Sequence, residues 1–331
     1  MANMRELRDR IKSVNSTKKI TKAQELIATS QISKAQARVA AAQPFADQIT
    51  AILTDLASAS SVQHRMLNEP EDARRSAVLV VTSDRGMCGG YNHNVLKEAA
   101  ELIAFLEDAG REVDIYVLGN KGIVYYTFRE VELAGSWQGH SQKPDYQEAR
   151  PAFQLLSAAF AAGGEETFDA TEFLGSDYPG DTTRKGVDEV HIVYTQFKSM
   201  LTQTPRARRL APIETEVEIE ELDLGDGMMD DSPRSESEFK PEVSFEPDAD
   251  TLLDNILPRY MSTRAFASLL EAAASESAAR RTAMKSATDN ATELVEGLSR
   301  EANQARQAQI TQEISEIVGG AGALAASAGS D

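Results

Sequence analysis

The sequence predicts an α/β fold in which long helices from both termini form an antiparallel coiled coil and a doubly wound α/β domain lies between them. Residues 1–43 contain neither glycine nor proline and are rich in good helix formers such as alanine, lysine and glutamate. Residues 259–318 contain no proline and one glycine, Gly297. Between these stretches, short apolar runs alternate with helical patterns, which is typical of a parallel sheet covered by helices.

The N-terminal segment, residues 1–70, is predicted to be one long helix that bends near Pro44 and continues through residues 45–59. Proline bends helices because it lacks the N–H donor and its ring crowds the preceding turn. The apolar residues of the proposed buried stripe are Leu7, Ile11, Val14, Ile20, Ala23 and Ile27. Most of them are three or four residues apart, as on one side of a helix.

The C-terminal segment, residues 248–331, is predicted to be a second long helix. Its stripe consists of Leu252, Leu253, Ile256, Leu257, Tyr260, Leu269, Leu270, Ala273, Leu294, Val295, Leu298, Ile310, Ile314, Ile317 and Val318. Two helices of this length cannot both wrap one small core, so we expect an antiparallel pair in which each buries the stripe of the other. Many inward positions are Ala, Ser, Thr or Gln, which predicts a thin pair.

The central segment, residues 71–247, is predicted to be the α/β domain. Its expected strands are Ser76–Ser83, Glu112–Gly119, a brief one near Val131–Trp137, Val187–Phe197 and a possible last one in residues 208–222. Its expected helices are residues 92–109, 121–130 and 145–163. Two acidic stretches rich in turn residues, 163–183 and 224–242, are predicted to be mobile surface loops.

The charge of the chain is uneven along its length. The total is −18, which argues against a general nucleic-acid-binding protein. Residues 214–250 hold 15 acidic residues against Arg234 and Lys240, a local net of −13. The first 43 residues hold nine basic and three acidic residues, a net of +6. This separation of charge indicates several different neighbours.

The cysteine content and the first residues indicate the cellular compartment in which the protein is expected. Cys88 is the one cysteine, so no disulfide can form within the chain, which fits a reducing cytosol. The first residues, MANMRELRDR, have no apolar core, so we expect no signal peptide. No run approaches ~18 apolar residues, so we expect no membrane-spanning helix.

A glycine-rich turn follows the first predicted strand, in the stretch VTSDRGMCGGYN. A P-loop places Gly-Lys-Ser/Thr at its end, whereas here Gly86, Gly89 and Gly90 are followed by Tyr91, and the next lysine is Lys97. The glycine spacing also departs from the dinucleotide-binding fingerprint. We therefore expect no nucleotide at this turn, and interpret the glycines as a structural turn that permits sharp bending and close backbone packing.

Three stretches, in the same order, resemble the γ subunit of F-type ATP synthase. They are SDRGMCGGYN at residues 83–92, RDRIKSVNSTKKITKAQELIATSQISKAQ at 8–36, and SESAARRTAMKSATDNATELVEGLSREANQARQAQITQEISEIVGGAGAL at 275–324. The resemblance covers the chain from end to end, apart from the acidic loops. It implies the same fold as the pattern above, with a Rossmann-like domain between the two helices of the coiled coil.

The resemblance also implies a function and partners. The γ subunit is the central rotor shaft of the proton-translocating enzyme, and it couples rotation of the c-ring to conformational change at the catalytic β subunits. Its coiled coil stands inside a ring of α and β subunits, and its globular part contacts the ε subunit and the c-ring. The implied protein has no active site, cofactor, metal or directly bound nucleotide, and lies at the cytoplasmic face of the bacterial plasma membrane.

The resemblance further implies which residues contact the β subunits. They are Arg306, Gln307 and Thr311 near the C-terminus, with Lys18, Lys19, Lys22 and Gln24 on the basic N-terminal helix. At about 100° per residue, the first three lie within about 140° of one another on the helix. The basic helix is expected to meet acidic β-subunit loops through weak, easily exchanged ion pairs.

Three features depart from the common pattern of the family. Gln24 stands where the family usually has methionine, and Cys88 alone cannot form the inserted dithiol pair of the chloroplast type. The stretch 163–183 resembles the insertion of actinobacterial γ subunits. It could hinder one direction of rotation or serve as a solvated spacer.

Two other classes of protein fit parts of the pattern. A stand-alone coiled-coil adaptor or chaperone with an α/β head would share the fold but not the three ordered motifs. A nucleotide-dependent enzyme would bind ATP tightly as an isolated chain. Co-purification with α and β subunits separates the first of these from the γ subunit.

Overall fold

The computed structural model describes residues 4–59, 65, 67, 73–174, 182–213 and 249–328. Contacts divide the chain into two compact units. The terminal unit comprises Met1–Ile27 with Arg281–Asp331, and the sheet unit comprises Ala28–Arg280. These units cut across the expected segments 1–70, 71–247 and 248–331, because parts of both long helices pack with the sheet.

The described residues form six helices and seven strands. The helices are α1 Met4–Ala59, α2 Tyr91–Asp108, α3 Asn120–Phe128, α4 Tyr146–Ala162, α5 Thr171–Leu174 and α6 Ala249–Ala328. The strands are β1 Arg75–Val81, β2 Glu112–Leu118, β3 Gly135–Trp137, β4 Thr167–Asp169, β5 Thr183–Lys185, β6 Glu189–Phe197 and β7 Gln203–Ala211. The structure thus confirms the predicted fold class, with a Rossmann-like α/β domain between long terminal helices.

The main sheet has the strand order β3-β2-β1-β6-β7. The first four strands are parallel neighbours, and β7 pairs antiparallel with β6 at one edge. Strand β1 is apolar without alternation because it is covered on both faces. Ala77, Leu79 and Val81 pack in the cluster with α4 and α6, whereas Val78 and Val80 pack in the cluster with α2 and α3.

The long helices contribute to each unit separately. In the sheet unit, Met261, Leu269 and Ala272 of α6 and Ile49 of α1 join the core beside α4. Both helices continue through an internal proline, Pro44 in α1 and Pro258 in α6. None of the helices described in the structure is long and apolar enough to cross a membrane.

In the terminal unit, α1 and α6 form the coiled coil. Its buried residues, among those described, are Leu7, Thr21 and Glu25 of α1 with Met284, Thr288, Ala291 and Leu298 of α6. Large apolar side chains are few here, in agreement with the thin pair that the sequence predicts.

Several residues assigned to the buried stripes of this coiled coil are exposed, so that part of the prediction is wrong. Ile20 and Ile27 of α1 are 61% and 54% exposed. On α6, Ile310, Ile314 and Ile317 are also exposed. The α6 residues lie beyond Leu298, the last residue of α6 that is described as buried, so a continuing periodicity does not mark a continuing contact.

The expectation of a mobile loop at 163–183 is wrong for its described residues. Strands β4 and β5 pair antiparallel there, and α5 lies between them. Two contacts hold the start of this stretch from outside: Glu165 pairs with Arg74 at 2.8 Å, and the Asp188 carboxylate accepts from the Gly164 N–H at 3.1 Å. The other predicted loop, 224–242, and residues 214–222 of the expected last strand lie outside the described residues, and β7 begins earlier than expected.

Candidate functional site

The turn between β1 and α2 is held by hydrogen bonds among its own side chains. Asn92 Oδ1 accepts from the Ser83 N–H at 2.9 Å, and Asn92 Nδ2 donates to Ser83 Oγ at 2.8 Å. Ser83 Oγ in turn donates to the carbonyl of Arg85 at 2.7 Å. Cys88 is buried beside these groups, with its Sγ 3.3 Å from Asn92 Nδ2. These contacts fix the backbone that helix α6 meets.

Arg280 attaches α6 to this turn. Its guanidinium donates to the carbonyls of Arg85 and Gly86, both at 3.2 Å, and to Glu276 Oε1 at 2.7 Å. The side chains of Arg280 and Glu276 are only 7% and 1% exposed. The Tyr91 hydroxyl adds a bond to the carbonyl of Ala272 at 3.3 Å. The turn therefore presents carbonyl oxygens to a cation, whereas a phosphate cradle presents N–H groups to an anion.

The three glycine positions of the turn differ in how strictly the structure requires glycine there. Gly89 has φ +58°, in the left-handed region that favours glycine. A Cβ on Gly90 would meet only the Asn94 side chain, at 3.5 Å, and one on Gly86 only Lys121 Cε, at 3.8 Å. Both are ordinary contacts, so the close backbone packing expected at Gly90 is not what the structure shows.

Two closely packed glycines lie in the next turn, between β2 and α3, and sequence reasoning missed them. A Cβ on Gly119 would lie 2.2 Å from the carbonyl oxygen of Thr82, and one on Gly122 would lie 2.7 Å from Val117 Cγ1. Thr82 Oγ1 donates to the carbonyl of Gly119 at 3.0 Å and accepts from the Gly122 N–H at 2.9 Å. The available signal was the sequence LGNKG directly after a strand.

Asp84 joins three segments at the carboxyl edge of the sheet. Its carboxylate accepts from the N–H groups of Asn120 at 3.1 Å and Ser141 at 3.0 Å. Burial opposes the charged form, but hydrogen bonds from the backbone of Gly139, Ser141 and Asn120 outweigh it and lower the pKa of Asp84. The charged carboxylate of Asp84 therefore stabilises the folded chain.

Acid titration should reveal this contribution. Because the pKa of Asp84 is lower in the folded chain, the stability it gives is present above the ordinary aspartate pKa and is lost as pH falls through the folded value. We expect Asp84→Asn to unfold more easily at pH 7 and to lose less further stability below about pH 4 than the wild type. Urea unfolding across this range measures both, with exposed Asp108→Asn as the control. Equal pH slopes for Asp84→Asn and the wild type would contradict the assignment.

The C-terminal contact candidates surround an exposed apolar face of α6. Arg306, Gln307 and Thr311 are all exposed, and Thr311 Oγ1 donates to the carbonyl of Gln307 at 2.9 Å. The exposed large apolar residues nearby are Ile310, Ile314, Ile317 and Val318. At about 100° per residue, all four lie in the arc of about 140° from Arg306 to Thr311. An apolar face of this kind, bounded by polar groups, is typical of a protein interface.

The N-terminal candidates have different surroundings. Lys19 is exposed, Lys18 and Gln24 are half-buried, and Lys22 forms an ion pair with Glu25 of the same helix at 3.0 Å. The structure thus places them on one helix without making them a cluster. Sequence reasoning missed the exposed Ile20 and Ile27 beside them, because it assigned both to the buried stripe.

No metal site emerges from the described residues. Among them, no three or more His, Cys, Asp or Glu side chains are grouped so that they could hold a metal ion. The features that remain are the α6 docking on the turn and the exposed faces of the terminal unit. The exposed apolar face of α6 fits a protein that works through contacts with other chains.

Comparisons with known proteins agree on one family. Residues 3–324 match the family described as ATP synthase. The chain is 62% identical over 331 residues to the ATP synthase gamma chain of Corynebacterium urealyticum and 61% identical over 336 residues to that of Rhodococcus opacus, with 100% of each chain covered. The Corynebacterium diphtheriae gamma chain is 59% identical over 331 residues, again with both chains fully covered.

Solved structures show the same fold at low sequence identity. One is the rotor of the mitochondrial ATP synthase of Euglena gracilis, at TM-score 0.56 and 16% identity, covering 93% of this chain and 98% of that one. Another is the central stalk and c-ring of the Tetrahymena thermophila enzyme, at TM-score 0.52 and 19% identity, covering 81% and 99%.

Proposed function

The chain belongs to the gamma chains of the ATP synthase family, and from this premise we propose that it is the central rotor shaft of an F-type ATP synthase. It couples rotation of the c-ring to conformational change at the catalytic β subunits and carries no active site of its own. Its partners are the ring of α and β subunits, the ε subunit and the c-ring. It lies at the cytoplasmic face of the plasma membrane as a peripheral subunit.

The observation that carries this proposal is the exposed apolar face of α6 formed by Ile310, Ile314, Ile317 and Val318. On the helix surface, this face lies within the arc from Arg306 to Thr311. Ile314 and Ile317 are 56% and 71% exposed, which is costly for a helix in water and favours a surrounding apolar partner. A ring of α and β subunits supplies such a partner. Because the face occupies one side of the helix, each orientation of the shaft presents a different surface to a given β subunit.

The mechanism follows from this asymmetry. A neighbour with several conformations shifts toward the one that the presented face stabilises. Rotation therefore moves each β subunit through its states in turn, and the same linkage makes hydrolysis turn the shaft. Arg306, Gln307 and Thr311, with Lys18, Lys19, Lys22 and Gln24, are the proposed contacts. Exposed ion pairs of the lysines contribute only about 0–1 kcal/mol each and exchange easily.

Replacing Arg306 by alanine should lower activity without affecting folding. Its side chain is exposed and no hydrogen bond or ion pair is described for it within the terminal unit, so its loss leaves the fold intact. A charged hydrogen bond made in one rotary state and lost in the next contributes about 1.5 kcal/mol, which predicts roughly tenfold lower steady-state ATPase of the assembled complex.

The matched control is Gln312→Ala, because Gln312 lies outside the proposed arc and bonds Glu316 of its own helix at 3.0 Å. Its effect on ATPase should be much smaller. Thermal melting of both isolated variants should follow the wild type. Loss of folding in Arg306→Ala, or full activity in the complex, would count against a coupling contact.

Assembly tests the proposed function itself. The tagged chain, co-expressed with its α and β subunits, should purify with both and support ATPase activity of the complex. A chain that purifies alone would favour the adaptor or chaperone class. Clear thermal stabilisation of the isolated chain by ATP would favour a nucleotide-dependent enzyme, because a ligand that binds only the folded state must stabilise it.

A further inference from the structure

Over part of its length, the coiled coil of the terminal unit buries polar residues of α1 and exposes apolar ones. Thr21 and Glu25 of α1 are buried, whereas Ile20 and Ile27 are 61% and 54% exposed. In an ordinary coiled coil, large apolar side chains at the inward positions set the register by packing into holes of the facing helix. Here the inward positions of α1 are polar, so over this stretch a contact other than apolar packing must help to align the two helices.

On α6 the facing residues over this stretch are the large apolar Met284 and the smaller Thr288 and Ala291. Met284, Thr288 and Ala291 are buried, whereas Leu294 is 51% exposed. Alanine and threonine form shallow surfaces that discriminate weakly between alternative alignments. Apart from Met284, apolar packing over this stretch excludes an alignment shifted by one helical turn, about 5.4 Å, only weakly.

One buried hydrogen bond crosses between the helices at this point. The hydroxyl oxygens of Thr21 and Thr288 are 2.7 Å apart. Each hydroxyl also lies within reach of a carbonyl of its own helix, Thr21 Oγ1 at 3.1 Å from Lys18 O and Thr288 Oγ1 at 2.8 Å from Met284 O. Either hydroxyl can donate across while the other donates to its own helix, so both proton arrangements keep the crossing bond.

We propose that the Thr21–Thr288 hydroxyl pair is the positioning contact that fixes the register of the coiled coil. A single buried polar pair can specify alignment because a shifted alignment loses the crossing bond and buries the hydroxyls against apolar or unmatched groups. Resting on the proposed function, this register also aligns the outward residues Ile20 and Ile27 with the Arg306–Thr311 face of α6. In a shifted coiled coil, the α1 surface and the α6 surface would be displaced along the helix axis relative to each other.

The test uses isosteric substitutions in the full chain. Thr21→Val with Thr288→Val replaces both hydroxyls by methyl groups and keeps the shape of the interface. Thr21→Ser with Thr288→Ser keeps both hydroxyls and should restore the parent behaviour. For distance measurement, spin labels are placed on cysteines at exposed Ser16 and Ser286, in a parent in which Cys88 is serine.

The first readout is the distribution of distances between the labels. The parent and the serine variant should each give one narrow population. The valine variant should melt at or above the parent temperature, since two buried hydroxyls become methyls, and should show a second population displaced by about one turn. A single parent-like population in the valine variant would overturn the register proposal.

The second readout is ATP-driven proton pumping per ATP hydrolysed, measured in vesicles with the assembled enzyme. If the two alignments become equally populated, about half of the shafts are out of register, and the ratio should fall about twofold. Shifted distances with an unchanged ratio would overturn the link to coupling. If the wild-type chain fails to restore pumping, the proposed function fails, whereas the distance readout still decides the register.

Discussion

Replacing Arg280 by methionine is expected to destabilise the sheet unit by about 3–5 kcal/mol, as when one partner of a buried ion pair is removed. The substitution takes away the guanidinium that bonds Glu276 and the carbonyls of Arg85 and Gly86. Glu276, with a side chain 1% exposed, then keeps a buried carboxylate without its cation. The free energy of urea unfolding at pH 7 measures the loss.

Two further variants separate charge from packing. Arg259→Met changes an exposed arginine of the same helix and should be close to neutral. Glu276→Gln combined with Arg280→Met removes both charges and should recover much of the lost stability. A double variant as unstable as the single one would contradict the role of the uncompensated carboxylate.

The pH dependence of the Arg280→Met variant has a defined sign. Burial raises the pKa of Glu276, and Arg280 opposes that rise. A carboxyl with a raised folded pKa contributes stability fully below its unfolded pKa, and that contribution is lost as pH rises through the folded pKa. Without Arg280 the pKa should rise further, so the deficit should be largest at neutral pH and smallest near about pH 4.

Replacing Gly119 by alanine is expected to cost about 4 kcal/mol. Its φ of +109° is rarely adopted by other residues, and a Cβ there would meet the carbonyl oxygen of Thr82 at 2.2 Å. We expect about 1–3 kcal/mol from the dihedral and about 1–3 kcal/mol from the clash with rigid backbone.

A matched control isolates the clash. Gly139 has a similar φ of +99°, but a Cβ there meets nothing within 4 Å. Gly139→Ala should therefore show only the dihedral cost, about 1–3 kcal/mol. Unfolding in urea compares the two variants. Equal losses would mean that the contact with Thr82 relaxes without cost.

The sheet was largely predictable because its strands are short apolar runs with turns between them. β1, β2 and β6 were expected within two residues of their observed bounds, since burial on both faces leaves a strong composition signal. The pairing of β4 with β5 was not expected, because acidic sequence suggests a solvated loop. One acidic residue there, Glu165, pairs with Arg74, which lies far away in the sequence.

Contacts between distant segments were the part that sequence reasoning could not give. In the sequence, Arg280 is one of many charged residues on a long helix. Only the folded structure shows that its guanidinium contacts the carbonyl of Gly86. In the coiled coil, periodicity indicates an apolar face but not whether that face meets the partner helix or another protein. For this reason Ile20 and Ile27 were assigned to the wrong side of α1.

Rotation under a microscope tests the proposed shaft most directly. A complex of this chain with its α and β subunits is immobilised through the β subunits, and a gold particle is attached to a cysteine replacing exposed Asp108 of α2. With ATP, the particle should turn in one direction and pause once for each catalytic subunit. A complex that hydrolyses ATP while the particle stays fixed would contradict the role of this chain as a rotor.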